Sequence, residues 1–157
     1  MQTDFLIRPM AEQDVENVTS LLCELHMLHY TERPDIYIDS EKPFSEKTLR
    51  DLMSNSVPIL VAQRENEIIG VCMASYKISQ NPLCTKRKIG YIEAIYVKDN
   101  MRRRGIGKAL YKAISDTVKE SGAETIELNV YDFNTEAKAF YESVGMELKS
   151  RIMEIRI

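Results

Sequence analysis

The stretch that decides the fold is a basic segment with two glycines, which reads Arg102-Arg103-Arg104-Gly105-Ile106-Gly107-Lys108. It follows an apolar strand pattern over residues 89–97 and precedes an amphipathic helix pattern that begins near Ile106. A strand, a glycine loop and a helix amino terminus together form a phosphate site, because loop N–H groups converge on the anion and the helix end adds about half a positive charge. Gly105 and Gly107 lack Cβ, so a phosphate can approach the backbone closely.

Two common phosphate-binding motifs do not match this loop. A P-loop needs a glycine where Arg102 stands and a metal-binding hydroxyl where Ala109 stands. A dinucleotide fingerprint needs a third glycine, and that position is Leu110. The pattern that remains is Arg-x-x-Gly-x-Gly, with a basic turn that merely caps a helix as the simpler interpretation.

Composition limits the class of protein. The chain has 157 residues, 44% of them hydrophobic, which suits one domain over residues 1–157. A net charge of −3 argues against nucleic acid as the main partner, and no apolar stretch approaches the ~20 residues that a membrane span needs.

The three cysteines, Cys23, Cys72 and Cys84, show no Cys-x-x-Cys spacing. Met1 to Asp4 do not begin a signal pattern. We therefore expect reduced thiols, no zinc site and a cytoplasmic protein.

The periodicity of apolar residues predicts alternating strands and helices. Strands are predicted over residues 5–8, 58–62, 68–76, 87–97, 125–130 and much of 146–157. Helices are predicted over residues 11–30, 45–53, 106–120 and 134–144. The strands before residue 97 are joined by turns and should pair antiparallel, whereas the strands on either side of helix 106–120 should be parallel with a right-handed crossover. The sheet is therefore predicted to be mixed.

Three local features occur in a fixed order along the chain. They are the glycine loop, the strand over residues 92–97 before it, and the pattern Asn-x-x-Ala-x-x-Phe-Tyr-x-x-x-Gly over residues 134–145. In this order the chain resembles the GNAT superfamily of acyl-CoA-dependent N-acetyltransferases over essentially its whole length. The resemblance implies an α/β GNAT fold: a mixed, mostly antiparallel sheet with helices on both faces and a parallel pair splayed to admit acetyl-CoA.

The resemblance also implies how acetyl-CoA is held. Its pantetheine arm should lie along the backbone of residues 95–97, and its pyrophosphate on the amides of residues 103–108. The cofactor contacts expected in this way are Ile95, Tyr96, Val97, Arg102, Arg103, Arg104, Gly105, Ile106, Gly107, Lys108, Asn134 and Tyr141. Arg104 departs from the smaller residue of many relatives, and its side chain is open to two positions, toward the adenosine 3′-phosphate or into water.

Acyl transfer to an amine needs a base, since an alkyl ammonium has a pKa near 10.4, and benefits from an acid at the departing thiolate. Glu93 is the candidate base, because it lies on the strand beside the expected pantetheine site and a carboxylate in partly apolar surroundings is a better base. The alternative places Glu93 in solvent. Tyr141 is the candidate acid, and the alternative is a core tyrosine beside Phe140.

The acceptor side is expected near the end of the first helix. His29 and Tyr30, together with Glu93, are the candidate substrate contacts, because relatives shape the acceptor site in this region. His26 and His29 lack a carboxylate at a spacing that would complete a metal site, so no metal is expected. The acids and aromatic residues around them suit a cationic amine, although a solvated acidic loop explains the same composition.

The function expected from these features is direct transfer of an acetyl group from acetyl-CoA to a primary amine of a small molecule or a peptide, in a ternary complex. The competing hypothesis is a non-catalytic acyl-CoA-binding module that senses the cofactor or scaffolds a partner. The presence of both Glu93 and Tyr141 favours the enzyme, because a sensor needs only the cofactor loop. A homodimer is among the expected assemblies.

Overall fold

The computed structural model describes residues 4–157 as a five-stranded sheet with helices packed on it. The strands are β1 Leu6–Pro9, β2 Ile59–Arg64, β3 Glu67–Ile78, β4 Lys88–Val97 and β5 Thr125–Glu127. The helices are α1 Val15–Glu32, α2 Glu46–Ser54, α3 Ile106–Glu120 and α4 Thr135–Ser143, with short 3₁₀ turns at Glu12–Asp14 and Asp99–Met101. No helix in residues 4–157 has the length and apolar character of a membrane span.

The sheet has the mixed topology that the sequence predicts. Its order is β1-β2-β3-β4-β5, with antiparallel pairing from β1 through β4 and parallel pairing of β4 with β5. The parallel pair follows from chain connectivity, since α3 carries the chain back across the sheet before β5 begins.

Helices cover both faces of the sheet, as expected. On one face, α1 and α2 pack against alternate residues of the central strands, including Val71 and Met73. On the other face, the apolar stripe of α3 packs against residues such as Cys72 and Ile92. Strand side chains alternate between the two faces, so each central strand contributes to both cores.

The parallel pair is short, and this shortness opens the sheet. The paired residues are Ile89 with Thr125, Gly90 with Ile126, and Tyr91 with Glu127, after which β5 ends. The strand predicted to reach residue 130 is therefore three residues shorter at this end. Because β4 continues to Val97, the edge of residues 92–97 has no neighbouring strand on the β5 side within the described chain.

The strand predicted within residues 146–157 is wrong for the single chain. Apolar residues do recur there, but the segment forms neither strand nor helix, and residues 147–157 are all exposed. An alternating pattern gives a strand only where a sheet edge accepts its backbone hydrogen bonds, and no edge in residues 4–157 does so.

Gly90 allows α3 to approach the parallel pair, and its replacement should destabilise the fold. A Cβ at position 90 would lie 2.0 Å from Val118 Cγ1, on a short and stiff side chain. We expect Gly90→Ala to cost about 1–3 kcal/mol of unfolding free energy, measured by urea denaturation. The double variant Gly90→Ala/Val118→Ala should recover part of the overpacking cost of Gly90→Ala. An unchanged midpoint in Gly90→Ala would contradict this packing.

Candidate active site

The glycine loop presents free backbone amides at the start of α3. Gly105 is the residue before the helix, with φ of 81°, and Arg103 also has a left-handed φ of 64°. The first helical bond runs from Ala109 N–H to the Gly105 carbonyl at 3.0 Å, and no side chain caps this end. The amides of residues 106–108 therefore lack helical partners and are available to an anion.

The side chain of Arg102 supports the loop from behind. Its Nε donates to the Val97 carbonyl at 3.2 Å, and its guanidinium pairs with Asp99 at 2.8 Å and lies 5.7 Å from the centre of the Tyr96 ring. These contacts tie the loop to the end of β4. The other two arginines extend outward: Arg103 is 87% exposed, and Arg104 makes no ion pair with any residue from 4 to 157.

Sequence reasoning did not identify Glu136, which joins the loop to α4. Its carboxylate pairs with Arg102 at 3.3 Å and with Arg103 at 3.2 Å. The available signal was its position in the first turn of the helix that begins after Asn134. A carboxylate there neutralises part of the basic loop when the loop holds no anion.

Asn134 caps α4, and this helix lies against the start of α3. Ala137 N–H donates to Asn134 Oδ1 at 3.0 Å. Phe140 lies so close to the other helix that a Cβ on Gly107 would be 3.3 Å from its Cε2. The helix carrying Asn134 and Tyr141 is therefore positioned beside the glycine loop, although contact of Asn134 with a cofactor stays a prediction.

Glu93 occupies a β-bulge on β4. Its neighbours pair in turn, Ala94 with Met73 and Ile92 with Ala74, so Glu93 is the extra residue between them. Bulges occur beside active sites, where they redirect a side chain. The carboxylate is exposed and accepts a hydrogen bond from the Ser75 hydroxyl. The partly apolar surroundings expected for Glu93 are therefore wrong, and the alternative that places it in solvent describes its position. Its role as a base stays a prediction.

Tyr141 lies in a much less polar environment. Its ring packs on Phe140 with centroids 5.3 Å apart, and burial raises the pKa of its hydroxyl well above the ordinary value. The neighbouring Cys72 thiol and Tyr111 hydroxyl raise the pKa further. Tyr141 therefore keeps its proton throughout the neutral range and can donate it in a hydrogen bond.

The two candidate catalytic groups lie on opposite faces of the sheet. Ser75, the partner of Glu93, follows the alternation of Val71 and Met73 on the α1 face. Cys72, the neighbour of Tyr141, belongs to the core on the α3 face and pairs with Ile95 of β4. The carboxylate of Glu93 thus lies on the α1 face of the sheet, and the phenol of Tyr141 lies on the α3 face near Cys72.

An aromatic cluster lies at the carboxyl end of α1. The centre of the His29 ring lies 5.2 Å from the ring centre of Tyr37, 6.1 Å from that of Tyr131 and 6.4 Å from that of Phe133. Sequence reasoning identified His29 but not Tyr131 or Phe133. The signal that could have identified these two is their position just after the strand predicted over residues 125–130. Tyr30 is half-buried and stacks on no aromatic ring within residues 4–157.

A wide acidic groove runs along the outer side of α1. It encloses about 1070 Å³ between this helix and the segment 41–46, with Tyr96 at its wall. The carboxylates that line it are Glu16, Glu24, Glu32, Glu41, Glu46 and Asp99, against a single lining amine, Lys42. The hydroxyl of Tyr96 donates to Glu24 at 2.9 Å, and burial together with Glu24 raises the pKa of Tyr96 to about 12.

Comparison with known proteins decides the family. The model of the acetyltransferase (GNAT) family matches residues 21–146. The chain belongs to the GNAT acetyltransferase family. It is 30% identical to the thialysine N-epsilon-acetyltransferase of Sus scrofa over 148 residues, which are 89% of this chain and 82% of that protein.

Solved structures agree with this membership. A mutant of the BH1408 protein from Bacillus halodurans is 32% identical, with a TM-score of 0.91 over 97% of this chain and 99% of that one. The aminoglycoside N-acetyltransferase AAC(6')-Iy in complex with CoA has a TM-score of 0.71, covers 98% of this chain and 94% of its own, and at 19% identity shows the GNAT fold alone.

Membership in the GNAT family makes the chain an acyltransferase, so the expectation of an enzyme rather than a non-catalytic module is confirmed.

The histidines of this GNAT protein have local partners: His26 Nε2 lies 2.8 Å from the Ile38 carbonyl, and His29 Nδ1 lies 2.9 Å from the Leu25 carbonyl. In residues 4–157 no three His, Cys, Asp or Glu side chains form a group able to hold a metal ion.

Proposed function

We propose that this GNAT protein transfers an acetyl group from acetyl-CoA to a primary amine of a small cationic molecule or a peptide, directly and within a ternary complex. The observation that carries the proposal is the placement of Glu93 and Tyr141 on opposite faces of the sheet, beside two strands, β3 and β4, that pair next to the open edge. An amine that approaches from the α1 face meets the carboxylate. A thiolate that departs on the α3 face meets the phenol.

The residues present fit acetyl-CoA, which when bound supplies a thioester carbonyl for attack. The three amides at residues 106–108 suit a pyrophosphate, and the left-handed Gly105 leaves the approach open, because a Cβ there would meet nothing within 4 Å. The free edge of residues 95–97 suits the amide groups of pantetheine. The CoA-bound neighbour of the same fold supports this donor.

The acceptor side favours a cation. The groove along α1 carries six carboxylates and one amine. The aromatic cluster at the carboxyl end of the same helix offers ring faces on which an alkyl ammonium can pack. The thialysine acetyltransferases among the relatives are named for a cationic amine, which supports the same class of acceptor. We propose that His29, Tyr30 and Glu93 contact this acceptor.

The experiment that tests the proposed function is release of free thiol from acetyl-CoA by the purified protein. The acceptors are thialysine, polyamines, aminoglycosides and peptides with a free amino terminus. We expect release that depends on at least one cationic amine, with the acetylated amine identified by mass spectrometry. Hydrolysis of acetyl-CoA without any amine dependence would contradict the proposal.

Replacing Glu93 with glutamine tests its role as the base. Glu93→Gln keeps the shape and removes the proton acceptor, so turnover at pH 7 should fall by about 100- to 10,000-fold. The deficit should shrink as the pH approaches ~10, because the amine then loses its proton unaided. Ser75→Ala removes only the hydrogen-bond partner of Glu93 and should change turnover much less. A loss in Glu93→Gln that is equal at every pH would assign Glu93 to substrate binding instead.

We also propose a cytoplasmic location, a single domain over residues 1–157, and a homodimer. The three cysteines are unpaired thiols, which supports a reducing compartment. The exposed apolar residues at the carboxyl terminus support self-association.

A further inference from the structure

Arg102 is the one arginine of the basic segment 102–104 whose side chain turns back into the fold. Its side chain is 33% exposed, against 87% for Arg103, and Arg104 is also exposed. The guanidinium carbon of Arg102 lies over the Tyr96 ring, 5.7 Å from the ring centre. A cation within about 6 Å of the centre of an aromatic ring is attracted by the electron density of the ring face. The ring of Tyr96 therefore helps to hold the residue at which the glycine loop begins.

Tyr96 is in turn held by α1. It is buried and belongs to the core between the sheet and this helix. Its hydroxyl donates a hydrogen bond of 2.9 Å to the carboxylate of Glu24, which lies in the middle of α1. Glu24 is exposed as a residue and forms no ion pair with any residue from 4 to 157, so the Tyr96 hydroxyl is the partner that the fold provides for its carboxylate.

The hydrogen bond to Glu24 strengthens the hold of Tyr96 on Arg102 in two ways. It fixes the position of the hydroxyl end of the ring relative to α1. A phenol that donates to a carboxylate also carries more electron density in its ring, because hydrogen-bonded groups polarise one another. A ring of higher electron density attracts a guanidinium more strongly. Glu24 therefore acts on Arg102 through the intervening phenol.

Arg102 passes this constraint to the glycine loop. Its Nε donates to the Val97 carbonyl at 3.2 Å and its guanidinium pairs with Asp99 at 2.8 Å, so the side chain ties residue 102 to the end of β4 and to the following turn. The amides of residues 106–108 begin four residues later, at the uncapped amino terminus of α3. A site made of converging N–H groups binds an anion only if the backbone that carries these groups keeps its geometry.

We propose that Glu24 and Tyr96 are positioning residues for the glycine loop. The helix α1 holds the phenol, the phenol holds Arg102, and Arg102 holds the backbone that receives the pyrophosphate of acetyl-CoA. The inference rests on the proposed function, which places the pyrophosphate at the amides of residues 106–108. It assigns Glu24, one of the six carboxylates that line the acidic groove, to the donor side of the enzyme rather than to the acceptor side.

Calorimetric titration of the full chain with acetyl-CoA, without any acceptor, tests the proposal through the sign of the effect. Glu24→Gln removes a negative charge, and by charge alone this variant should bind the anionic cofactor more tightly. Positioning predicts the opposite, about a 3- to 10-fold weaker affinity, because the ring loses its carboxylate partner. Tyr96→Phe removes the same hydrogen bond and should weaken binding to a similar extent. Because Glu24 is exposed, Glu24→Gln leaves the core packing unchanged.

The double variant shows whether the two residues act through one contact. In Tyr96→Phe the hydrogen bond is already absent, so adding Glu24→Gln should cause no further loss of affinity, and the two effects should be non-additive. The matched control is Tyr76→Phe, because Tyr76 also lies beneath a cation, Lys88 Nζ at 4.4 Å, but its hydroxyl has no hydrogen-bond partner within residues 4–157. This control should bind acetyl-CoA as the natural chain does. Additive losses in the double variant, or tighter binding by Glu24→Gln, would overturn the proposal.

The Nε–H signal of Arg102 in the NMR spectrum tests the contact without the cofactor. In the natural chain this proton should exchange with water at least about tenfold more slowly than the Nε–H of the exposed Arg104, because it is bonded to the Val97 carbonyl. Its exchange should become faster in Glu24→Gln and in Tyr96→Phe and stay unchanged in Tyr76→Phe. Exchange that is unaffected in the first two variants would also overturn the proposal. A natural chain that binds no acetyl-CoA would contradict the proposed function, whereas the exchange of Arg102 would still decide whether Glu24 and Tyr96 hold this side chain.

Discussion

Turnover should fall by about 100- to 10,000-fold in Tyr141→Phe, the range expected when a positioned proton donor is removed. The substitution removes one hydroxyl and keeps the ring that packs on Phe140. Since burial raises the pKa of Tyr141, the wild-type residue remains protonated up to high pH. The loss should therefore be nearly constant from pH 6 to about 9, unlike the loss in Glu93→Gln.

The raised pKa also limits what Tyr141 does. A thiol resembling cysteine has a pKa of roughly 8.5, so complete proton transfer from Tyr141 to the departing thiolate is uphill, and a strong hydrogen bond is the main contribution. Tyr111→Phe is the matched control, because it removes a nearby hydroxyl that has no assigned role. Equal turnover of Tyr141→Phe and wild type, with chemistry rate-limiting, would make Tyr141 a packing residue.

Binding of acetyl-CoA should be lost in Gly107→Glu. The substitution would add a negative charge in the first turn of α3, close to the amides of residues 106–108 where we place the pyrophosphate. Two unit charges 4 Å apart repel each other by about 4 kcal/mol at an effective dielectric constant of 20, which corresponds to roughly a thousandfold in affinity. Calorimetric titration with acetyl-CoA measures the change.

The matched control is Gly107→Gln, which has the same bulk without the charge. Both variants place a Cβ 3.3 Å from Phe140 Cε2, so any loss through displacement of α4 is shared between them. Thermal unfolding should show that both fold. Affinities that fall equally in the two variants would attribute the loss to packing, and an unchanged affinity in Gly107→Glu would refute the position of the pyrophosphate.

Local signals predicted most of the fold. The stripe of α3 identifies a helix because its period matches the buried face that the structure shows, at Ile106, Leu110, Ile114 and Val118. The helix predicted over residues 45–53 is found as α2, and Ser45 caps it by accepting a hydrogen bond from Thr48 N–H at 3.1 Å. The strand within residues 146–157 was mispredicted because alternation reports which side chains prefer burial. It does not report whether a sheet edge within the same chain accepts the strand.

The site was predictable where a backbone rule applies and less so where side chains meet across the fold. Gly105 was identified because a left-handed turn before a helix favours glycine. The bulge at Glu93 depends on the register between β3 and β4, which no local pattern encodes. Glu136 meets the loop only through the packing of α4, and Tyr131 meets His29 only through the course of the chain after β5, so sequence spacing alone did not identify either contact.

The shortness of the parallel pairing between β4 and β5 affects how the protein responds when acetyl-CoA binds. Three residue pairs connect β5 to β4, whereas nine connect β3 to β4. Acetyl-CoA that is hydrogen-bonded to both strands beyond Tyr91 would restrain the chain after Glu127. Resistance of the chain after Glu127 to proteolysis would then report whether acetyl-CoA is bound. Release of CoA after the reaction would make the same segment more mobile.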